Sequence, residues 1–141
     1  MRKIGVLMDP AERIRPGKDT TVAIMRAGAR RGHEILVCSP ADLVLEAGGA
    51  SARFRAITLH PGDAPWFTPA AARLLPLDEL DVLLLRRDPP VDTAFLHDLL
   101  WASMANPVRP LLVNDPGALR DCNEKLFALR FPQCCPPTLV A

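Results

Sequence analysis

The sequence predicts a three-layer α/β domain built on a mostly parallel sheet, with a β-hairpin added to it. Three observations lead there. The run Val82-Leu83-Leu84-Leu85 shows no apolar–polar alternation, as a strand covered on both faces requires. Three apolar runs each end in an Asp-Pro stop: residues 4–8 run into Asp9-Pro10, residues 82–85 into Arg86-Arg87-Asp88-Pro89-Pro90, and residues 111–113 into Asn114-Asp115-Pro116. Between the first run and a further apolar stretch, residues 33–38, lies a helical pattern, which makes a right-handed βαβ crossover and a Rossmann-like start. In open parallel sheets ligands bind beyond the carboxyl ends of the strands. Each aspartate taken singly reads as a turn or helix cap followed by a proline stop. Three of them on one edge, with two arginines among them, predict a polar cleft.

A length of 141 residues suits one domain with a real core and is too short for two ordinary ones. A net charge of +1 without a basic tract argues against a dedicated nucleic-acid or anionic-membrane binder. No apolar run approaches the roughly 20 residues of a membrane span, and no signal-peptide hydrophobic region opens the chain, so the expected location is cytoplasmic. Cys38, Cys122, Cys134 and Cys135 lack zinc-ligand spacing with His33, His60 or His97 and read as reduced, mostly structural thiols. Gly5 lies inside a strand and no GxGxxG opens the first helix, which disfavours an NAD-type site.

In order, residues 3–8 form the first buried strand, and the polar turn 9–19, with Arg13, Arg15 and Lys18, is longer than packing requires. Asp19 or Thr20 caps a helix over 21–31, packed through Val22, Met25 and Ala29 and stopped by Gly32. Residues 33–38 are the next strand. Residues 42–46 and 51–59 flank Ala47-Gly48-Gly49-Ala50 and read as a hairpin, an excursion from the main sheet. Residues 60–76 read as loop, held down by Trp66 and Phe67. After the strand 82–85, Asp92 or Thr93 caps an amphipathic helix over 94–104, on which Phe95, Leu99 and Leu100 share a side while His97 and Asp98 read as an exposed pair. Residues 110–114 are a last short strand, 116–121 a helical turn capped by Asp115, and 123–127 a second helical start. The segment Thr138-Leu139-Val140 reads as the beginning of a strand, as though the chain were cut where a second domain starts. Side chains alternate along a strand, so Arg86 and Arg87 are expected to face opposite ways. The one facing the cleft is the candidate to bind a substrate carboxylate, with Asp88 orienting it.

Several separated motifs carry a family resemblance. Gly5-Val6-Leu7-Met8-Asp9-Pro10, Lys18-Asp19-Thr20-Thr21, the stretch from Leu85-Arg86-Arg87-Asp88 to Thr93, Val113-Asn114-Asp115-Pro116, and Leu119-Arg120-Asp121-Cys122-Asn123-Glu124-Lys125-Leu126 together resemble the prokaryotic type of glutathione synthetase. The resemblance covers nearly the whole chain and is weak over 47–76 and 131–137. It implies a Rossmann-like pre-ATP-grasp domain over residues 1–122, with 123–141 opening an ATP-grasp domain. It also implies an ATP-dependent ligase that joins γ-glutamylcysteine and glycine through an acyl phosphate, with ATP and two Mg2+ ions as cofactors. Lys125 matches the family's lysine that contacts ATP phosphates. Arg86, Arg87, Asp88, Asp19 and Thr20 are the candidate substrate-binding residues. The glycine-rich lid and acidic metal ligands of the family have no counterpart in these residues, so no catalytic residue is assigned and this piece alone is expected to be inactive. A homo-oligomer is expected, with Phe127, Leu129, Phe131, Leu139 and Val140 as an apolar patch that promotes association or leaves the segment after Phe131 poorly ordered. The alternative is a stand-alone Rossmann-like module that binds a small acid or dimerises without catalysis.

Overall fold

A computed structural model of the chain describes residues 1–123 and 126–139. Its centre is a four-strand parallel array in the order β2 (Glu34–Cys38), β1 (Lys3–Met8), β7 (Val82–Arg86), β8 (Leu111–Val113). Alternation along these strands divides the core into two layers. Val6, Met8, Ile35 and Val37 pack with Val22 and Met25 of α1 (Thr20–Arg30), whereas Leu7, Leu36, Leu83 and Leu85 pack with Phe95, Leu99 and Trp101 of α2 (Thr93–Ser103). With a helix on each face, both sides of the strands need apolar residues, and this is why residues 82–85 are all apolar. The three-layer α/β class and the mostly parallel central sheet follow the expectation. Gly32, at φ +75°, ends α1 in the left-handed region where glycine carries no Cβ penalty.

The hairpin is present but placed differently. β3 (Leu43–Glu46) and β4 (Gly49–Leu59) pair antiparallel around Ala47-Gly48, with Gly49 at φ +118°. The hairpin continues the sheet and does not leave it, because Leu36 and Val37 of β2 pair with Ala56 and Arg55 of β4. The indole Nε1 of Trp101 donates to the carbonyls of Val44 (3.0 Å) and Ser51 (3.2 Å), which pins the hairpin to α2. Residues 60–76 are not all loop: β5 (Phe67–Pro69) and β6 (Arg73–Pro76) both add to β4. These strands are three and four residues long and each ends in proline, so no alternation long enough to read exists. Trp66 is buried against Phe67, their ring centroids 4.5 Å apart, as expected.

The predicted helical turn is α3 (Pro116–Asp121). Beyond it the described residues form 3-10 turns at Phe127–Arg130 and Pro132–Cys134, with the Phe127 and Phe131 rings 5.9 Å apart. Thr138 and Leu139 are not in a strand, contrary to expectation, and Val140 lies outside the described residues. Among the described residues no helix is long and apolar enough to cross a membrane.

At the amino edge of the sheet, Asp81 accepts the Lys3 amide (2.7 Å) and the guanidinium groups of Arg2 and Arg109 (3.1 Å each). The Lys3 amide, then Arg2, hold its carboxyl below the usual range. A carboxyl whose pKa is lower folded than unfolded favours the fold above its unfolded value, about 4, and loses that contribution as pH falls through its folded value. Asp81→Asn is therefore expected to lower the Tm at pH 7, with the gap to wild type closing below about pH 4. Thermal melts from pH 2 to 7 check this, and a gap that stays constant down to pH 2 rejects it.

Candidate functional site

Strand order fixes where a ligand can enter. The chain steps from β1 through α1 to β2 on one side and from β7 through α2 to β8 on the other, so the sheet reverses direction between β1 and β7. A crevice opens at the carboxyl ends of such a strand pair. Asp9 leaves β1 there; Arg86 ends β7, and Arg87 and Asp88 follow it. Asp9 and Asp88 meet: Asp9 Oδ2 accepts the Asp88 amide at 3.0 Å, and Asp9 Oδ1 lies 3.9 Å from Arg87 Nε. Asp115, the third strand-end aspartate, accepts the Ala118 amide at 2.7 Å and caps α3, so for this residue the capping role holds.

The two arginines face opposite sides, as alternation requires. Arg86 Nε donates to Thr21 Oγ1 (3.1 Å) and its Nη2 to Thr20 Oγ1 (2.9 Å), on the α1 side. Arg87 Nη1 donates to Asp98 Oδ2 on the α2 side, and its guanidinium carbon sits 5.7 Å from the centroid of the Phe95 ring. Among the described residues Asp88 pairs with neither arginine, so the expected orienting role falls instead to Asp98 for Arg87 and to the two threonines for Arg86. Asp19 Oδ1 accepts the amides of Thr21 (2.6 Å) and Val22 (3.1 Å) and is the N-cap of α1.

Asp98 is the residue that sequence reasoning missed. It is not half of an exposed pair: it is only 7% exposed. The signal was in the spacing, because 95, 98, 99 and 102 are related by i, i+3, i+4 and i+7 and share one helix face. Three of them are apolar, and that face is the one that packs on the sheet. Burial pushes the Asp98 carboxyl up, and the hydrogen bond and charge of Arg87 oppose the shift without cancelling it.

Two recesses open at this edge. One, of about 140 Å³, has an apolar base of Leu7, Phe95 and Leu99 and polar walls that include Arg87, Asp88 and Asn114. The other, of about 380 Å³, lies between the ends of β1 and β2 and is lined in part by Asp9, Glu12, Asp42 and Arg55. Cys38 borders the second and is buried, and burial, followed by the charges of Asp42 and Asp98, raises its thiol well above the ordinary range, which disfavours the thiolate form. Among the described residues no group of three His, Cys, Asp or Glu side chains could hold a metal ion. Lys125, the candidate phosphate contact, lies outside the described residues. What this edge presents is a pair of recesses with charged and hydrogen-bonding walls, one of them over an apolar base.

Comparison with known proteins narrows the reading. Residues 2–120 match the family model for the N-terminal domain of prokaryotic glutathione synthetase. The chain is 43% identical over 139 residues to a glutathione synthetase of Pseudomonas syringae pv. tomato, covering 99% of this chain and 44% of that protein. It is 42% identical over 143 residues to one of Gloeobacter violaceus (98% and 44%) and 41% identical over 140 residues to one of Escherichia coli O6:H1 (99% and 44%). The chain thus spans less than half the length of the curated relatives it matches. With a match that takes in the crevice residues Asp9, Arg86, Arg87 and Asp98 and nearly every element of the sheet, the chain belongs to the prokaryotic glutathione synthetase N-terminal domain family.

Proposed function

We propose that this chain serves as the substrate-orienting N-terminal domain of an ATP-dependent ligase that joins γ-glutamylcysteine to glycine through an acyl phosphate. The observation that carries the reading is identity of more than 40% to proteins named glutathione synthetase, sustained across the whole chain and not confined to one motif. The position of the crevice adds support, since a polar edge at a strand-order reversal is where an α/β domain presents a ligand to a neighbouring domain. ATP and Mg2+ are assigned to an ATP-grasp portion that begins near residue 123, a boundary supported by the family match ending at residue 120. The enzyme is placed in the cytoplasm, in keeping with four cysteines that are all free. Self-association as a homo-oligomer is supported by exposed Leu100, Met104, Val108 and Leu111 in the α2–β8 region.

A chimera tests the proposal. Residues 2–120 replace the matching segment of the Pseudomonas syringae relative, and ADP release and glutathione formation are followed. Turnover that depends on both γ-glutamylcysteine and glycine is expected, with none from the 141-residue chain alone. A chimera that melts cooperatively yet makes no glutathione, beside an active parent, overturns the reading, as does turnover by the 141-residue chain.

A further inference from the structure

Two of the four cysteines stand side by side. Cys134 closes the 3-10 turn Pro132–Cys134 and is exposed, and Cys135 follows it, half-buried. Both are tied down. The Cys134 amide donates to the Phe131 carbonyl (2.9 Å) and the Cys135 amide to that of Pro132 (3.3 Å), while the Cys135 thiol donates to the Ala128 carbonyl at 3.4 Å. Pro132 opens the turn and Pro136 follows Cys135, so a fixed proline φ on each side narrows the backbone between them. A residue before proline favours extended backbone, and Cys135 has φ −117° and ψ 146°. The preceding turn is braced by the Phe127 and Phe131 rings, 5.9 Å apart, and by Arg130, whose guanidinium carbon lies 5.4 Å from the Phe127 ring centroid. The other two thiols differ: Cys38 is buried, and Cys122, exposed at the end of α3, has no cysteine next to it in the chain.

An exposed thiol with a second thiol on the next residue can exchange with a disulfide and then be released by its neighbour. We infer that Cys134-Cys135 is a thiol–disulfide exchange site for a small-molecule disulfide, with Cys134 the attacking and Cys135 the resolving sulfur. The choice of disulfide rests on the ligase reading, since the oxidised form of the proposed product is glutathione disulfide. The Cys134 thiol gives its proton to water, and its thiolate attacks one sulfur of that disulfide. A Cys134–glutathione bond forms, the original S–S bond breaks, and one glutathione leaves and takes up a proton. The Cys135 thiolate, its proton likewise lost, attacks the Cys134 sulfur and expels the second glutathione. Two protein thiols are thereby oxidised by two electrons, and one disulfide is reduced to two thiols. Neighbouring Cα atoms lie about 3.8 Å apart across a trans peptide, short of the roughly 4.4–6.8 Å that an unstrained disulfide spans. The product is therefore strained and easily reduced, as a reversible disulfide is and a structural one is not. Its formation also removes the hydrogen that Cys135 shares with Ala128, so the turn holding the Phe127 and Phe131 rings senses the state of the pair.

The 141-residue chain is incubated with millimolar glutathione disulfide, quenched with acid, blocked with N-ethylmaleimide and cut with trypsin. Trypsin separates Cys122, on residues 121–125, from Cys134 and Cys135, on residues 131–141. Fragment 131–141 is expected to be lighter by two hydrogens, with adduct below about a tenth of that on 121–125, where a glutathionyl group has no resolving neighbour. Cys135→Ser is expected to retain the glutathionyl group on 131–141, and excess reduced glutathione to restore the wild-type pair. Equal adducts on the two fragments, a bond joining them, or no change in 131–141 with either glutathione disulfide or hydroxyethyl disulfide overturns the inference. Oxidation by hydroxyethyl disulfide alone rejects glutathione disulfide as the partner. The Phe131 amide, which donates to the Ala128 carbonyl at 2.9 Å, is expected to exchange its hydrogen severalfold faster in the oxidised chain, and an unchanged rate rejects the coupling to the turn. A chimera without turnover rejects the ligase reading instead, and the hydroxyethyl disulfide arm then still decides whether the pair exchanges.

Discussion

Replacing Arg87 by Met is expected to destabilise the fold by about 3–5 kcal/mol at neutral pH, the usual result of stripping one partner from a buried ion pair. Acidification is expected to reverse much of that loss. The methionine fills most of the space of the arginine stem beside Phe95, so the cost comes mainly from leaving Asp98, 7% exposed, without its counter-ion. In the wild type, burial already holds the Asp98 carboxyl above its ordinary value, and Arg87 is the main influence pulling it down. Without Arg87 it rises further. A carboxyl whose folded pKa is raised favours the fold fully below its unfolded pKa, about 4, and loses that contribution as pH rises through the folded value. The single variant should thus be nearest to wild type at about pH 4 and fall away toward pH 7, over a wider window than the parent. Replacing the pair together, Arg87→Met with Asp98→Leu, removes both charges and is expected to restore most of the stability, because an apolar pair of similar volume needs no compensation. Urea melts from pH 4 to 8 on the three proteins decide. A single-variant loss that does not depend on pH, or a double variant no better than the single, means that Asp98 is more solvated than its burial indicates.

The elements legible in the sequence are those whose burial left a long pattern. β1 spans residues 3–8 and β7 spans 82–86, and both were readable because a strand between two helix layers must be apolar on both sides. Asp19, Asp92 and Asp115 each cap the helix expected of them, since a carboxylate ahead of a helix has few other uses. The candidate site was legible to the extent that strand ends can be read: the Arg86-Arg87 pair and Asp9 were placed at one edge, and the opposed directions of the two arginines followed from alternation alone. Its counter-ions were not. Asp98 lies within α2, well beyond the strand end, and only the packing of α2 on the sheet brings it to Arg87. β5 and β6 escaped because partners on β4 impose them on segments too short to show a period. The hairpin's place was hidden for the same reason, since the pairing of β4 with β2 depends on backbone groups that leave no trace in side-chain polarity.

Phe54→Ala is expected to cost about 3–5 kcal/mol, the range for deleting a buried aromatic ring. Against a total stability of about 5–15 kcal/mol for a domain, that is enough to leave part of the chain unfolded at body temperature. Phe54 is fully buried on the α2 side of the sheet, and its ring crosses the centre of β1 at the one position without a side chain. A Cβ on Gly5 would lie 3.3 Å from Phe54 Cε1 and 2.6 Å from Leu80 Cδ1. Gly5 is therefore the space that Phe54 and Leu80 fill. Gly5→Ala alone overpacks this point and is expected to cost about 1–3 kcal/mol. The two changes should not add: the cavity left by the ring lets Leu80 move away from the new methyl, so the double variant is expected to be more stable than the sum of the single losses by about 0.5–3 kcal/mol. Guanidinium melts of the four proteins measure this, and a sum that holds to within about 0.5 kcal/mol rejects the packing argument. The coupling has a structural consequence. Gly5 pairs with Leu36 of β2, and Leu36 with Ala56 of β4, so Phe54 reaches over β2 to fix the hairpin strand against β1. β1 is the strand that delivers Asp9, and a loosened Phe54 is expected to disturb the Asp9–Asp88 contact without touching either residue.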